Sequence, residues 1–177
     1  MLFFSDPART PRPELTLARL PRGSGFVFRA FGAADALVVG RQLARLARRR
    51  GVVFFVGAEA DLAVALRADG IHLPERLAHR KGVVGRLSSR FFVTGAAHGL
   101  AAARRARLSG VDAIVVSPVF QSASPSAGRP IGPLRFAALV RAAGCPVYAL
   151  GGVNRVSVRR LMRSGAVGVA SVSALSD

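Results

Sequence analysis

Short apolar runs alternate with helix-period segments along the chain, and this alternation most constrains the fold. Eight runs rich in β-branched or aromatic residues predict strands at 2–5, 26–29, 52–56, 71–73, 91–94, 113–118, 147–150 and 167–171. Helical patterns lie between them, the clearest at 34–50, 61–68, 99–109, 133–143 and 156–164. Eight strands with helices between them is the count of a (β/α)8 TIM barrel.

The alternative α/β architecture is an open, doubly wound sheet. That fold would need a glycine-rich turn after its first strand, and residues 5–9 read Ser-Asp-Pro-Ala-Arg instead. A weak repeat supports the barrel. At Gly70, Gly110 and Gly165 the same order recurs, in which a predicted helix is followed by a glycine and then by a strand. We expect each of these glycines to adopt the left-handed conformation that ends a helix.

The chain is short for this class of barrel. Its 177 residues predict a single domain over residues 1–177, whereas ~200–250 residues are typical of the fold. The sequence ends at Asp177, soon after the last predicted strand, so we expect a compact barrel with a truncated final helix. A partner subunit in a homodimer could cover the apolar flank that a missing helix exposes.

The formal charge of +17 raises the question of a nucleic-acid partner. Lys81 is the only lysine, the arginines are spread over several predicted helices, and phenylalanine lies mainly inside apolar strands. This pattern indicates solvated helix faces and argues against nucleic acid. No apolar run reaches the ~18–20 residues of a membrane span, and the first residues lack the basic region of a signal peptide. We therefore expect a cytoplasmic protein without a membrane partner.

The last third of the chain carries a pattern typical of phosphate binding. Gly151 and Gly152 follow one predicted strand, a predicted helix opens after them, and Val172 and Ser173 follow the final strand. In a barrel these positions meet at one rim. Glycine lets the backbone approach an anion closely, and backbone N–H groups at a helix N-terminus bind phosphate. The pattern predicts a phosphorylated small molecule as ligand.

Three histidines differ in their surroundings along the chain. His98 follows a strand end and precedes a helix, where an imidazole at the rim can act as an acid or a base near neutral pH. His72 lies inside a short strand, so we expect it to be packed and hydrogen-bonded in the barrel wall. His79 lies in a basic helical stretch and is expected to be solvated.

Residues 121–130 are rich in Ser, Pro and Gly and form a candidate lid loop at the rim. Ser122 and Ser124 offer hydroxyl groups to a phosphate or diphosphate. Arg29, at the end of the second strand, and Arg129 can pair with the same anion through two N–H groups each.

Four segments, in this order and spacing, resemble the thiamine phosphate synthase and thiazole tautomerase (TenI) superfamily. They read ADGIHL at 68–73, SPVF at 117–120, ALGGV at 149–153 and GVASVSA at 168–174. The synthase branch joins a pyrimidine diphosphate to a thiazole phosphate with the help of Mg²⁺. The resemblance implies that His98 is the acid–base histidine of the tautomerase branch. It also implies phosphate or diphosphate contacts for Arg29, Ser122, Ser124, Gly151, Gly152, Val172 and Ser173.

The departures from the family pattern concern the diphosphate half of the site. Ala58 and Arg76 stand where the synthases have metal-binding aspartates, and Phe31, Ala96 and Pro125 replace a lysine, a serine and a second lysine. Mg²⁺ prefers carboxylate oxygens. The resemblance therefore implies a chain with no metal site and no cofactor.

Three functions remain open at this point. The expected one is a tautomerase that binds a thiazole phosphate and moves a proton with His98. The second is a synthase in which Arg76, Arg29 and Arg129 neutralise the diphosphate in place of the metal. The third is a non-catalytic binder of a thiamine precursor.

Overall fold

A computed structural model describes residues 1–122, 124 and 127–173 of the chain. Eight parallel strands form a closed barrel in which each strand pairs with its neighbours in chain order and the last pairs with the first. The strands are β1 Leu2–Phe4, β2 Gly25–Phe28, β3 Val53–Gly57, β4 Gly70–Leu73, β5 Phe92–Ala97, β6 Ala113–Val116, β7 Val147–Ala149 and β8 Gly168–Ser171. The predicted TIM barrel is confirmed, with a strand at each of the eight predicted places.

Helices connect most of the strands on the outside of the barrel. They are α1 Pro13–Arg19, α2 Ala36–Arg50, α3 Ala60–Leu66, α4 Glu75–Ala78, α5 Lys81–Ser88, α6 Leu100–Ser109 and α7 Pro133–Ala143. The helix expected at 156–164 is instead a short 3₁₀ segment, Ser157–Leu161. Asn154 binds the N–H groups of Val156 and Ser157 ahead of it, and Gly165, at φ +82°, lies between this segment and β8.

The expected glycine cap is fully correct at one joint only. Gly110 ends α6 with φ +95°. Gly165 has the expected positive φ but does not cap a helix, because the 3₁₀ segment before it ends at Leu161 and is capped by Met162. Gly70 lies within β4, and the left-handed residue that ends α3 is Arg67, at φ +51°. Gly70 has a packing role, because a Cβ at this position would collide with the ring of Phe55.

Two hydrophobic clusters form the core. The larger one packs the outer faces of the strands against the helices and includes Phe26, Phe54 and Phe136. The smaller one contains Leu2, Phe4, Val27, Phe55, Val115 and Ala170. Because side chains alternate along a strand, this second set faces the barrel interior. The interior is therefore apolar below the rim where the functional loops lie.

His72 is the buried histidine expected in the barrel wall. Its Nδ1 lies 2.9 Å from Thr94 Oγ1, and its ring stands edge-on to Phe4 with 4.8 Å between centroids. Burial, and after it the charge of Arg29, lowers the pKa of His72 from 6.5 to about 3. His72 is therefore neutral in the folded protein near neutral pH. His79 is exposed, as expected.

This neutral histidine makes stability depend on pH. The unfolded chain binds a proton at His72 below pH 6.5 and the folded chain does not, so stability falls as the pH falls from 6.5 toward 3. We expect His72 to contribute a loss of about 1.4 kcal/mol per pH unit in this window. Urea unfolding of the wild type and His72→Gln, from about pH 7 to about pH 5, measures this contribution. The free energy of unfolding should depend less steeply on pH in the variant, and equal pH dependence would contradict the assignment of this effect to His72.

Several expectations are not tested by the fold. Residues 174–177, where the final helix would be truncated, lie outside the described residues. The single domain, the homodimer and the compartment stay predictions. Within the described part of the chain, none of the helices has the length and apolar character needed to cross a bilayer.

Candidate functional site

Two adjoining cavities open at the carboxyl ends of the strands. The larger has a volume of about 420 Å³ and is lined by residues that follow β1, β2, β5 and β6. The smaller, about 180 Å³, lies against the ends of β7 and β8. Both are lined by Arg9, Ser122, Leu150, Gly151 and Val172. The shared lining makes them two compartments of one site, at the rim where barrels of this type carry their functional groups.

The smaller cavity is shaped by two glycines with left-handed backbones. Gly151 has φ +90° and Gly152 has φ +64°. A Cβ on Gly151 would lie 2.8 Å from Pro118 Cα, and one on Gly152 would collide with the Gln121 carbonyl and with Phe120. Only glycine lets the loop after β7 come this close to the loop after β6.

Residues 151–153 and 172–173, which we call the glycine cup, line the smaller cavity. Among the described residues, no oxygen accepts a hydrogen bond from the backbone N–H groups of these five residues. Unpaired N–H groups that line a cavity can bind an anion. Asn154 Oδ1 already accepts from Val156 and Ser157, so an anion in this cavity would meet loop amides and not the expected helix N-terminus.

His98 lines the larger cavity in a defined tautomer. Its Nδ1 lies 2.7 Å from the carbonyl oxygen of Ser117. A carbonyl can only accept, so Nδ1 carries the hydrogen and the neutral ring has its lone pair on Nε2. The backbone N–H of His98 donates to Glu75 Oε2 at 2.8 Å. Two contacts therefore orient an exposed imidazole whose Nε2 binds none of the described residues.

Arg29 also faces the larger cavity, but much of its hydrogen-bonding capacity is used within the protein. Its Nε donates to Ser5 O at 2.6 Å and its Nη2 to Asp6 Oδ2 at 3.2 Å. The guanidinium lies 5.7 Å from the ring centre of Phe4 and 5.1 Å from that of Phe31. Burial lowers the pKa of Arg29, the charge of Asp6 opposes this, and the group stays cationic.

Asp6 and Arg9 are part of the site, and the sequence patterns assigned neither of them a role. Asp6 Oδ2 binds Arg9 Nη2 at 3.0 Å as well as Arg29. Burial alone would raise the pKa of Asp6, but the hydrogen bonds from Arg9 and the Ala8 amide, with the charges of both arginines, lower it. Their position directly after the first predicted strand, and therefore at the rim, could have identified them as candidate site residues.

The predicted loop residues are only partly brought together. Ser122 and Ser124 line the larger cavity, and Ser122 Oγ accepts from the Ser124 amide at 3.3 Å. Arg129 and Arg76 are exposed and line neither cavity. Residues 123, 125 and 126, which include Pro125, lie outside the described residues. The structure therefore does not bring Arg29, Arg76 and Arg129 together around one site.

The positions of the family's metal ligands offer no carboxylate. Ala58 follows β3 with φ +63°, and Arg76 lies exposed in α4. Across 1–122, 124 and 127–173, no three His, Cys, Asp or Glu residues are grouped so that they could hold a metal. These residues do not fit the Mg²⁺ site of the synthases, which needs oxygen ligands.

The closed barrel, with its glycine cup and imidazole at one rim, defines a (β/α)8 barrel with a candidate small-molecule site at the carboxyl ends of its strands. The family model for thiamine monophosphate synthase matches residues 14–175. The chain therefore belongs to the thiamine monophosphate synthase and TenI family of thiamine biosynthesis, and the resemblance seen in the sequence is confirmed.

Curated relatives carry the name of the synthase. A putative thiamine-phosphate synthase 2 of Aquifex aeolicus is 32% identical over 75% of this chain and 71% of its own length. A thiamine-phosphate synthase of Chloroflexus aurantiacus is 35% identical over 76% of this chain and 62% of its own length. Against some of these relatives, therefore, the chain spans less than two thirds of their length.

Solved structures agree on the fold. Thiamine phosphate pyrophosphorylase from Pyrococcus furiosus superposes with a TM-score of 0.84 at 23% identity, over 97% of this chain and 84% of that one. FabK from Thermotoga maritima superposes with a TM-score of 0.75 at 14% identity, over 98% of this chain and 58% of that one.

Proposed function

We propose that this protein is a thiazole tautomerase of the TenI type that binds a thiazole phosphate and moves a proton with His98. One observation carries the proposal. His98 is oriented through Nδ1, its Nε2 binds none of the described residues, and it lines a cavity that shares part of its wall with the glycine cup. A phosphate held in the cup would leave the attached ring in the larger cavity, beside the imidazole.

The proposed step uses one acid–base group. Neutral His98 Nε2 takes a proton from a carbon of the unaromatised ring, and the electrons of the broken C–H bond shift into the ring system. The imidazolium then returns a proton at another position, so the product has the same composition as the substrate. The Ser117 carbonyl stabilises the imidazolium through its contact with Nδ1, at 2.7 Å.

We also propose that the reaction uses no metal or other cofactor. An isomerisation creates no diphosphate leaving group, so it needs no divalent cation to neutralise one. Ala58 and Arg76 supply no carboxylate ligand. The ligand is a small phosphorylated thiazole or thiamine precursor, and neither nucleic acid nor a membrane takes part.

The second candidate is the synthase, which the names of the curated relatives favour. In that function Arg29 would bear the diphosphate charge that Mg²⁺ otherwise neutralises. Its support from the site is weaker, because Arg76 and Arg129 line neither cavity.

Purified protein incubated with the unaromatised thiazole phosphate tests the proposal, with the aromatic product followed by NMR. We expect isomerisation that EDTA does not slow. A parallel assay supplies pyrimidine diphosphate and thiazole phosphate with and without Mg²⁺, and we expect no thiamine phosphate from it. Formation of thiamine phosphate would establish the synthase, whereas tight binding without turnover in both assays would establish a non-catalytic binder.

A further inference from the structure

The charge of the smaller cavity comes from a single side chain. Of the described residues that line it, Arg9 is the one with an ionisable group, and the remaining lining is backbone, hydroxyl, amide and aliphatic. The five amides of the glycine cup can hold phosphate oxygens but carry no net charge. A phosphate monoester bears nearly two negative charges at neutral pH, so it needs a cation that these amides do not supply.

Asp6 holds Arg9 at the boundary between the two cavities. Arg9 Nη2 lies 3.0 Å from Asp6 Oδ2 and 3.4 Å from Ser124 Oγ. Among the described residues, the Nε and Nη1 groups of Arg9 have no hydrogen-bond partner. Three of the five N–H donors of a guanidinium are on those two nitrogens, enough for a two-point contact with phosphate.

Arg29 cannot take this place. It lines the larger cavity only, with its Nε and Nη2 engaged by Ser5 and Asp6. Asp6 offsets one of the two guanidinium charges it contacts, which leaves one net positive charge beside the glycine cup. Arg9 is the member of this group that reaches both cavities.

We infer that Arg9 is the residue that recognises the phosphate of the ligand, by closing over an anion held in the glycine cup. The contact of Arg9 with Ser124 also ties the loop after β1 to the loop after β6, so an anion bound by Arg9 joins two sides of the rim. The site therefore selects a phosphate monoester over the corresponding alcohol. This inference rests on the proposed function for the identity of the ring, and it concerns binding, not turnover.

The test measures equilibrium binding by calorimetry, with thiazole phosphate, thiazole alcohol and inorganic phosphate as probes. Arg9→Ala should weaken thiazole phosphate binding at least about tenfold, the effect of losing one charge-assisted contact, and leave alcohol binding unchanged. Arg9→Lys, which keeps the charge but loses the forked geometry, should be intermediate. The matched control is Arg12→Ala, because Arg12 is exposed, pairs with Glu14 at 3.5 Å and lines neither cavity.

Four results would overturn the inference. They are no phosphate binding by the wild type, wild-type affinity in Arg9→Ala, an equal loss in Arg12→Ala, or an equal loss of the alcohol. An equal loss in Arg12→Ala would show a general effect of net charge. An equal loss of alcohol binding would show that the substitution disturbs the structure of the site. A wild type that binds thiazole phosphate through Arg9 but does not isomerise its precursor would contradict the proposed function alone.

Discussion

Replacing His98 with alanine is expected to slow isomerisation of the unaromatised thiazole phosphate by about 10²–10⁴-fold, the usual contribution of a general acid–base group. The loss should fall on kcat more than on KM, since the glycine cup and Arg9 are untouched. Steady-state assays by NMR, over a range of substrate concentrations, measure both constants. His98→Gln should be as slow, because an amide cannot shuttle a proton near neutral pH.

The control for this variant is His79→Ala. His79 is exposed and lines neither cavity, so its loss should leave the rate unchanged. Thermal unfolding should show both alanine variants folded. Isomerisation by His98→Ala at the wild-type rate would remove His98 from the mechanism and leave the family assignment intact.

Gly152→Ala is expected to damage both ligand binding and stability. The new Cβ would collide with the Gln121 carbonyl and with Phe120, and alanine is strained at φ +64°. We expect the free energy of unfolding to fall by about 1–3 kcal/mol. Phosphate binding should weaken at least about tenfold, because the loops on either side of the cup must separate. Urea unfolding and calorimetry with thiazole phosphate measure the two effects.

The matched control is Gly128→Ala in the loop after β6. A Cβ at Gly128 meets no atom of the described residues within 4 Å, so stability and binding should both stay close to wild type. If Gly152→Ala binds thiazole phosphate as tightly as Gly128→Ala does, the glycine cup is not the phosphate site.

The fold was predictable because its signals are local. Each strand is a short apolar run such as Ala113–Val116, and each long helix has an amphipathic period that needs no distant partner to be recognised. Placing strand ends at one rim then brought Gly151 and His98 into a single site, since a parallel barrel collects all its carboxyl ends on one side.

Other features were missed because distant contacts decide them. Gly70 makes room for Phe55 in the barrel interior and does not end a helix. Residues 156–164 contain the pattern of a helix, but the capped turn at Asn154 leads into a short 3₁₀ segment. Arg9 looked like an ordinary arginine among many, and only its place beside Asp6 and both cavities distinguishes it.

The sequence by itself determined the barrel and the family, and it predicted a phosphate-binding rim, because periodicity and glycine placement are encoded over a few neighbouring residues. Tertiary structure alone decided which groups are available at that rim. It engages Arg29 with Ser5 and Asp6 and sets Arg9 between the cavities, and it gives Nε2 of His98 no partner among the described residues. The physical reason is that hydrogen-bond partners and buried charges depend on which strand ends the closed barrel brings together. A local sequence pattern does not contain this information.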